Sequence, residues 1–408
     1  MQRIYSVFGI VAVAGLFMAG CSTMNKNKCG NTFGDDVAFL KQHTGVIVLA
    51  NADARVAVVP GYQGRVMTST ARGDQGASFG WINYDLIVKG ERQRHINVFG
   101  GEDRIWLGPE GGQFSIFFKQ DEPFDLEHWE TPAPIDWGGW DVLAQDARMA
   151  RFGKKFAVTN FSNTRFDVAA ERTVRVLDNG EIAAVLGVAI PPGLAGVGYA
   201  SENRITNTGT APWTKDGGLL SIWILGMFRP SPATTIVIPF KPGTDAQLGP
   251  VVNDAYFGKV PADRLKIDHK GVLFFRGDGR CRGKIGIPPP RARDVAGSYD
   301  ADGGVLTLVK FTLPKGAVDY VNSMWEMQAE PFKGDVANSY NDGPPAPGKP
   351  PLGPFYELES SSPAAALAPG GSLTHTHTTV HLQGSRAVLD PIARAVLGVG
   401  LDTITGAF

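Results

Sequence analysis

Gly100-Gly101-Glu102-Asp103-Arg104-Ile105-Trp106-Leu107-Gly108-Pro109-Glu110-Gly111-Gly112 holds three acids, one arginine and one tryptophan between two glycine pairs. A solvated loop seldom carries Ile-Trp-Leu, and a buried strand seldom carries Glu-Asp-Arg. A groove that grips a polar ring needs both. A flat aromatic face serves C–H contact, and charged groups hydrogen-bond hydroxyls in bidentate fashion. Arg104 and Glu110 are therefore the leading binding candidates, with Trp106 as the aromatic face. Arg104 is suited to clamping vicinal hydroxyls or a uronate carboxylate. The competing reading is structural, with Glu102 paired to Arg104 or Glu110 to Arg65.

Outward from this stretch the chain reads as β protein. Gly 51 and Pro 28 supply turns between short runs rich in β-branched and aromatic residues. Residues 45–51, 55–60 and 65–70 read as an opening meander. Runs at 114–118, 156–161, 166–177, 219–225, 234–238, 271–276, 305–313 and 323–328 read as further strands, and 166–177 alternates well. Many strands with turn signals predict a sandwich or barrel. Helical patterning is confined to the ends: 36–43, and 392–397 behind Asp390 as cap and Pro391 at the first helical position. The proline-rich stretch 342–350 is read as a rigid surface loop beside the site, not a domain boundary. One domain is expected over 36–408.

Four further stretches bear on the fold together with the opening one. These are Tyr62-Gln63-Gly64-Arg65-Val66, Asn203-Arg204-Ile205-Thr206-Asn207-Thr208-Gly209, Phe355-Tyr356-Glu357-Leu358-Glu359-Ser360 and Leu367-Ala368-Pro369-Gly370. With the "GGE-x-R-x-W-x-x-PE" segment, and in this order, they resemble the galactose mutarotase-like proteins, the aldose 1-epimerase superfamily. The resemblance spans about residues 45–383. It implies an all-β, mutarotase-like β-supersandwich that takes a saccharide ligand. It also implies acid–base opening of a sugar ring, with a glutamate near the C-terminus as base and histidines as acids.

The glutamate is present in duplicate. Glu357 and Glu359 are two apart on an expected strand and so face one side, where like charges raise one another's pKa. Glu359 is preferred as catalytic base by its distance to the turn that follows, with Glu357 beside it. The central region 218–228 contains no histidine, and Trp223 is read there as a stacking platform or a core indole. His128 is the replacement acid, and His95 and Asn97 are added to the binding set. Trp129, with Trp137 and Trp140, is read as part of an aromatic lid facing the saccharide. His375 and His377 share one strand face, and two histidines at that spacing offer a weaker alternative as metal ligands in a lyase- or hydrolase-like site. No G-x-S-x-G, H-E-x-x-H, phosphate-loop or dinucleotide pattern occurs, and no cofactor is expected.

The N-terminus is read as a targeting segment. Arg3, the apolar run 4–17 and Met18-Ala19-Gly20-Cys21 resemble a bacterial lipobox, with 1–20 as signal peptide and 21–35 as a polar tether. Cys21 is then the lipidated residue and the membrane contact. Ser22 after it implies the outer membrane of the cell envelope. Net charge is −1, so no strong field draws nucleic acid. The expected function is envelope-anchored carbohydrate binding or processing. The alternative is a glycan-binding lipoprotein without catalysis.

Overall fold

Alternation sets the long strands. In Arg165–Val176 almost every second residue is buried, from Phe166 and Val168 through Val174 and Val176. This is the half-buried pattern of an antiparallel sheet. The computed structural model describes residues 32–408, and these cluster as one compact unit.

Three sheets result, and every strand pairing in them is antiparallel. The opening meander Ile47–Asn51, Ala54–Val59 and Arg65–Thr70 forms a three-stranded sheet. A ten-stranded sheet runs from Leu265–Asp268 at one edge to Asp141–Gln145 at the other, with the long strands Ser372–Gln383 and Ala195–Asn207 adjacent near its middle. The third sheet has five strands, in the order Gly283–Ile287, Ala337–Asn341, Tyr356–Ser361, Ser221–Phe228, Arg104–Gly108. One face of this sheet packs on the large sheet. Ile105, Leu107, Ile222 and Ile224 join Val168, Val174 and Ile205 in one core. Ile285, Ile287 and Leu358 join Ile236, Phe275 and Val309 in another. The architecture is the all-β sandwich that the sequence resemblance implies.

The first and last helices differ from expectation. The first is Phe33–His43, capped by Thr32 in a capping box with Asp35. It starts ahead of Asp36 because that box supplies partners for the opening N–H groups. Phe33 is buried, so residues 33–35 belong to the fold and not to a tether. The C-terminal helix is Arg386–Leu397 and runs through Pro391 instead of starting there. Its apolar face, Leu389, Ile392, Ala393 and Leu397, begins before the proline. Asp390 does not cap it; its carboxylate accepts from Arg394 Nε at 2.7 Å and from the Leu401 N–H at 2.7 Å. A second short helix, Leu401–Thr405, follows.

Two expected strands are loops. Around residues 114–118, Phe117 and Phe118 bury against Trp129 and Trp325 without joining a sheet. Residues 323–328 likewise join no sheet, and Trp325 among them lines the cleft described below. A short apolar run does not distinguish a strand from a buried loop by periodicity alone. Residues 1–20 and Cys21 lie outside the described residues. No helix among the described residues is long and apolar enough to cross a membrane.

Candidate functional site

The five-stranded sheet turns its second face to a cleft. Parity decides who points there: Arg104 and Trp106, Trp223, Leu225 and Met227, Lys284, Tyr340, Glu357 and Glu359. Register then places them side by side. Trp106 lies opposite Trp223, with ring centroids 5.6 Å apart and edge-on. Leu225 lies between Arg104 and Glu359, and Glu357 lies between Met227 and Tyr340. Lys284 pairs with Tyr340 on the outer strand. Loops carrying Leu126, Trp129, Phe257, Trp325 and the 342–352 stretch raise the walls around the cleft.

Each charge of the opening motif goes a different way. Glu102 and Asp103 precede the strand and turn into the interior. Glu102 accepts from the Ser69 N–H at 2.6 Å and from the Tyr199 hydroxyl at 3.1 Å, and lies 3.0 Å from His381 Nε2. Asp103 is held by Arg172 at 2.6 Å, both fully buried. Gly101 permits this turn: its φ is +107°, and a Cβ there would lie 2.8 Å from the Val66 carbonyl oxygen. Of these three neighbouring charges only Arg104 faces the cleft, so the Glu102–Arg104 pairing does not occur; Glu110, past the strand, lines the cleft as well. Arg65 hydrogen-bonds the Gly100 carbonyl at 3.0 Å and does not pair with Glu110.

The cleft floor is two crossed ion pairs. Arg104 Nη2 donates to Glu357 Oε1 at 2.9 Å, with both side chains almost wholly buried. The guanidinium also lies 4.2 Å from the Trp106 ring centroid, a cation–π contact. Lys284 Nζ stands 3.3 Å from Glu359 Oε2, which also accepts from Trp223 Nε1 at 2.9 Å. Arg104 Nε and Nη1, Glu359 Oε1 and the indole nitrogens of Trp106 and Trp129 are buried without a hydrogen-bond partner in the protein. Buried polar atoms are nearly always satisfied, so this concentration is unusual. Burial pushes the Glu357 carboxyl up to about 7; Arg104 opposes the shift and Glu359 adds to it. Burial raises Glu110 as well, against the pull of Lys284. A carboxyl poised near neutrality between a guanidinium and a nearby ammonium is equipped to exchange a proton with a bound hydroxyl.

Of the residues singled out from sequence, Arg104, Trp106, Glu110, Trp129, Trp223 and Glu357 line the cleft. Glu359, the preferred base, sits on the same face but is fully buried beneath it, and Glu357 is the carboxylate that reaches the cavity. Asn97 is fully buried away from the cleft, donating its N–H at 2.9 Å and its Nδ2 at 2.6 Å to Asp136. His95 donates Nδ1–H to the Trp129 carbonyl at 2.7 Å and so pins the loop rather than a ligand. His128 is half-buried outside the cleft, 2.6 Å from Asp125, and Leu126 and Trp129 are the residues of that loop that line the cleft. Of the expected aromatic lid, Trp137 stacks on Phe99 and Trp140 donates to the Pro134 carbonyl. His375 and His377 face between the sheets, each 2.8 Å from Ser360 Oγ. Burial lowers them to about 3 and about 4, with the Asp103 carboxylate opposing the shift of His377. Among the described residues no group of three or more His, Cys, Asp or Glu is arranged to hold a metal ion.

Lys284, Tyr340, Asp342, Phe257 and Trp325 were not anticipated. Lys284 left a trace in Gly283-Lys284-Ile285-Gly286-Ile287, where a lysine occupies one position of an otherwise apolar alternating strand. Tyr340 donates to Asp342 Oδ1 at 2.8 Å, and Asp342 Oδ2 accepts from the Gly353 N–H at 2.8 Å. That clasp closes the proline-rich stretch onto the cleft, the place read for it from sequence.

The family model of DUF6786, a family of unknown function, matches residues 31–408. The chain belongs to that family. Solved structures similar to this DUF6786 chain include the Slr1438 protein from Synechocystis sp. PCC 6803, at 14% identity and TM-score 0.48, covering 84% of this chain and 96% of that one. A galactose mutarotase-like protein from Lactobacillus casei ATCC 334 shows 10% identity and TM-score 0.44, covering 83% and 100%. A galactose mutarotase related enzyme from Lactobacillus acidophilus shows 8% identity and TM-score 0.44, covering 83% and 97%. No curated protein matches this DUF6786 chain in sequence.

Proposed function

We propose that the cleft binds a saccharide and that Glu357 exchanges protons with it. The observation that carries this reading is the set of buried, protein-unpartnered donors on Arg104, Trp106 and Trp129, residues that line a cavity walled also by Trp223 and Trp325. Polyols supply hydroxyls to such groups and C–H faces to such rings. Arg104→Ala removes a charged hydrogen-bond partner in a shielded site, worth about 1.5–3 kcal/mol, so affinity should fall roughly ten- to hundredfold. Titration calorimetry on hits from a glycan screen measures it, and an unchanged affinity for every hit would show the site to be misassigned. Glu357→Gln keeps the shape and removes the titrating group. With catalysis, anomeric exchange followed by NMR should collapse while binding largely survives.

A second reading is a binder without catalysis. It is favoured by the fact that no described histidine lines the cleft, which leaves Glu357 without the imidazole partner the resemblance implies. Retention of full binding with no exchange on any hit supports that reading over the first.

We propose further that the chain is anchored in the cell envelope through lipid on Cys21, on the pattern Met18-Ala19-Gly20-Cys21 after an apolar run. Cys21→Ala should release the protein from the membrane fraction. An unchanged membrane-bound fraction, with no lipid label on the wild type, would sink the idea.

A further inference from the structure

The mouth of the cleft is apolar in a way that its floor is not. Leu126, Phe257 and Leu352 line it and remain 53%, 36% and 50% exposed. They are three of nine exposed large hydrophobic residues among those described, and they come from three separate loops. Scattered exposed leucines need no explanation, but convergence on one rim does. Phe257 is also held in place. The Arg282 guanidinium lies 3.7 Å from its ring centroid, and Tyr340 meets it edge-on at 6.0 Å. A fixed aromatic ring at a cavity mouth is a preformed contact surface.

Floor and mouth make different demands on one occupant. The floor offers Arg104, Lys284, Glu110 and Glu357, which call for a hydroxylated group. The collar side chains Leu126, Phe257 and Leu352 offer only carbon, and the Arg282 guanidinium beside them is packed on the Phe257 ring. A free monosaccharide carries hydroxyls all round, and those nearest the mouth would lose water against carbon without a replacement partner. A sugar bearing an apolar substituent satisfies both ends at once.

We infer that the cleft takes a glycoside with an apolar aglycone, its sugar on the charged floor and its aglycone inside the collar of Leu126, Phe257 and Leu352. The inference rests on the saccharide-binding part of the reading above, not on anomeric exchange, which the blocked anomeric centre of a glycoside does not allow, and deepens it to a ligand class.

The test uses the full chain and a matched panel: methyl, phenyl and n-hexyl glycosides of glucose, galactose, mannose and N-acetylglucosamine, with benzyl alcohol as the sugar-free control. Calorimetry should show one sugar series in which phenyl or hexyl binds roughly ten- to fiftyfold tighter than methyl, as expected for covering one such group. The double variant Leu126→Ser/Leu352→Ser, at exposed positions that leave the core intact, should reduce that ratio to a fewfold. Equal affinity for methyl and phenyl members overturns the inference while the saccharide reading stands. Benzyl alcohol binding as tightly as the phenyl glycosides overturns both, because the sugar then contributes nothing. Absence of binding across the whole panel also overturns both.

Discussion

Arg172→Met should lower the unfolding free energy by about 3–5 kcal/mol, the usual cost of stripping one partner from a buried ion pair. Arg172 is fully buried and spends its guanidinium on the Gly64 carbonyl at 2.9 Å, Asn203 Oδ1 at 2.8 Å, the Asp103 carbonyl at 3.1 Å and the Asp103 carboxylate at 2.6 Å. It therefore ties the ten-stranded sheet to the Gly64 turn and to the entry of the Arg104 strand. Methionine fills much of the space but leaves an unpaired carboxylate and two orphaned oxygens, on Gly64 and Asn203, while the Asp103 carbonyl keeps the Val66 N–H. Urea denaturation measures the loss. The surface pair Arg165–Asp167, at 2.7 Å with both side chains exposed, is the control, and Arg165→Ala should change stability by less than about 1 kcal/mol. Adding Asp103→Asn to Arg172→Met should recover part of the loss, since the stranded charge is then gone. A loss below about 1 kcal/mol for Arg172→Met alone would show that the pair does not hold these elements together.

Acid should act through His375 and His377. Both are buried and neutral, held at about 3 and about 4 against an ordinary value near 6.5 by desolvation, with His377 adding to the shift of His375. A folded-state pKa below the unfolded one means that the unfolded chain binds the proton first. The stability is present above about 6.5 and is lost as pH falls toward 4, at up to roughly 1.4 kcal/mol per pH unit for each histidine. Glu357, raised to about 7, and Asp335, raised to about 6 by burial, have the opposite sign. Their contribution is full below the ordinary carboxylate range and fades as pH rises through those values. The wild-type curve is a composite for that reason, and the informative quantity is the difference from a variant. His375→Asn and His377→Asn should each flatten the acid limb, so that wild type loses about 2–3 kcal/mol more than either variant between pH 6.5 and 4.5. Urea midpoints across that range decide it. Parallel curves would mean that the imidazoles are not the groups taking up protons.

Those histidines show where sequence reading stops. Spacing alone placed them on one face of a strand, and they are on one face. Spacing does not say whether that face looks into a groove or onto another sheet. It looks onto Ser360, across the interior of the sandwich. The same holds for Glu357 and Glu359. Their shared side was legible from the two-residue period, but which one reaches the cavity depends on the depth at which the Tyr356–Ser361 strand sits against its neighbours. Register put Glu359 under Trp223 and Lys284 and left Glu357 at the wall beside Arg104.

What the sequence determined by itself is local. Alternation set the strands, glycine pairs set the turn before Arg104, and the mixture of charge and indole in residues 100–112 marked a segment that is neither plain core nor plain surface. Arg104, Trp106 and Glu110 of that segment line the cleft. What only the tertiary structure decided is partnership across distance. Glu102 and Asp103 are spent on His381 and Arg172, from strands far along the chain, while Lys284 is recruited from another strand to complete the floor. The physical reason is that side-chain period is fixed by backbone geometry within a few residues. The identity of a buried charge's counterion is fixed by strand order and register, which every strand of the sandwich sets together.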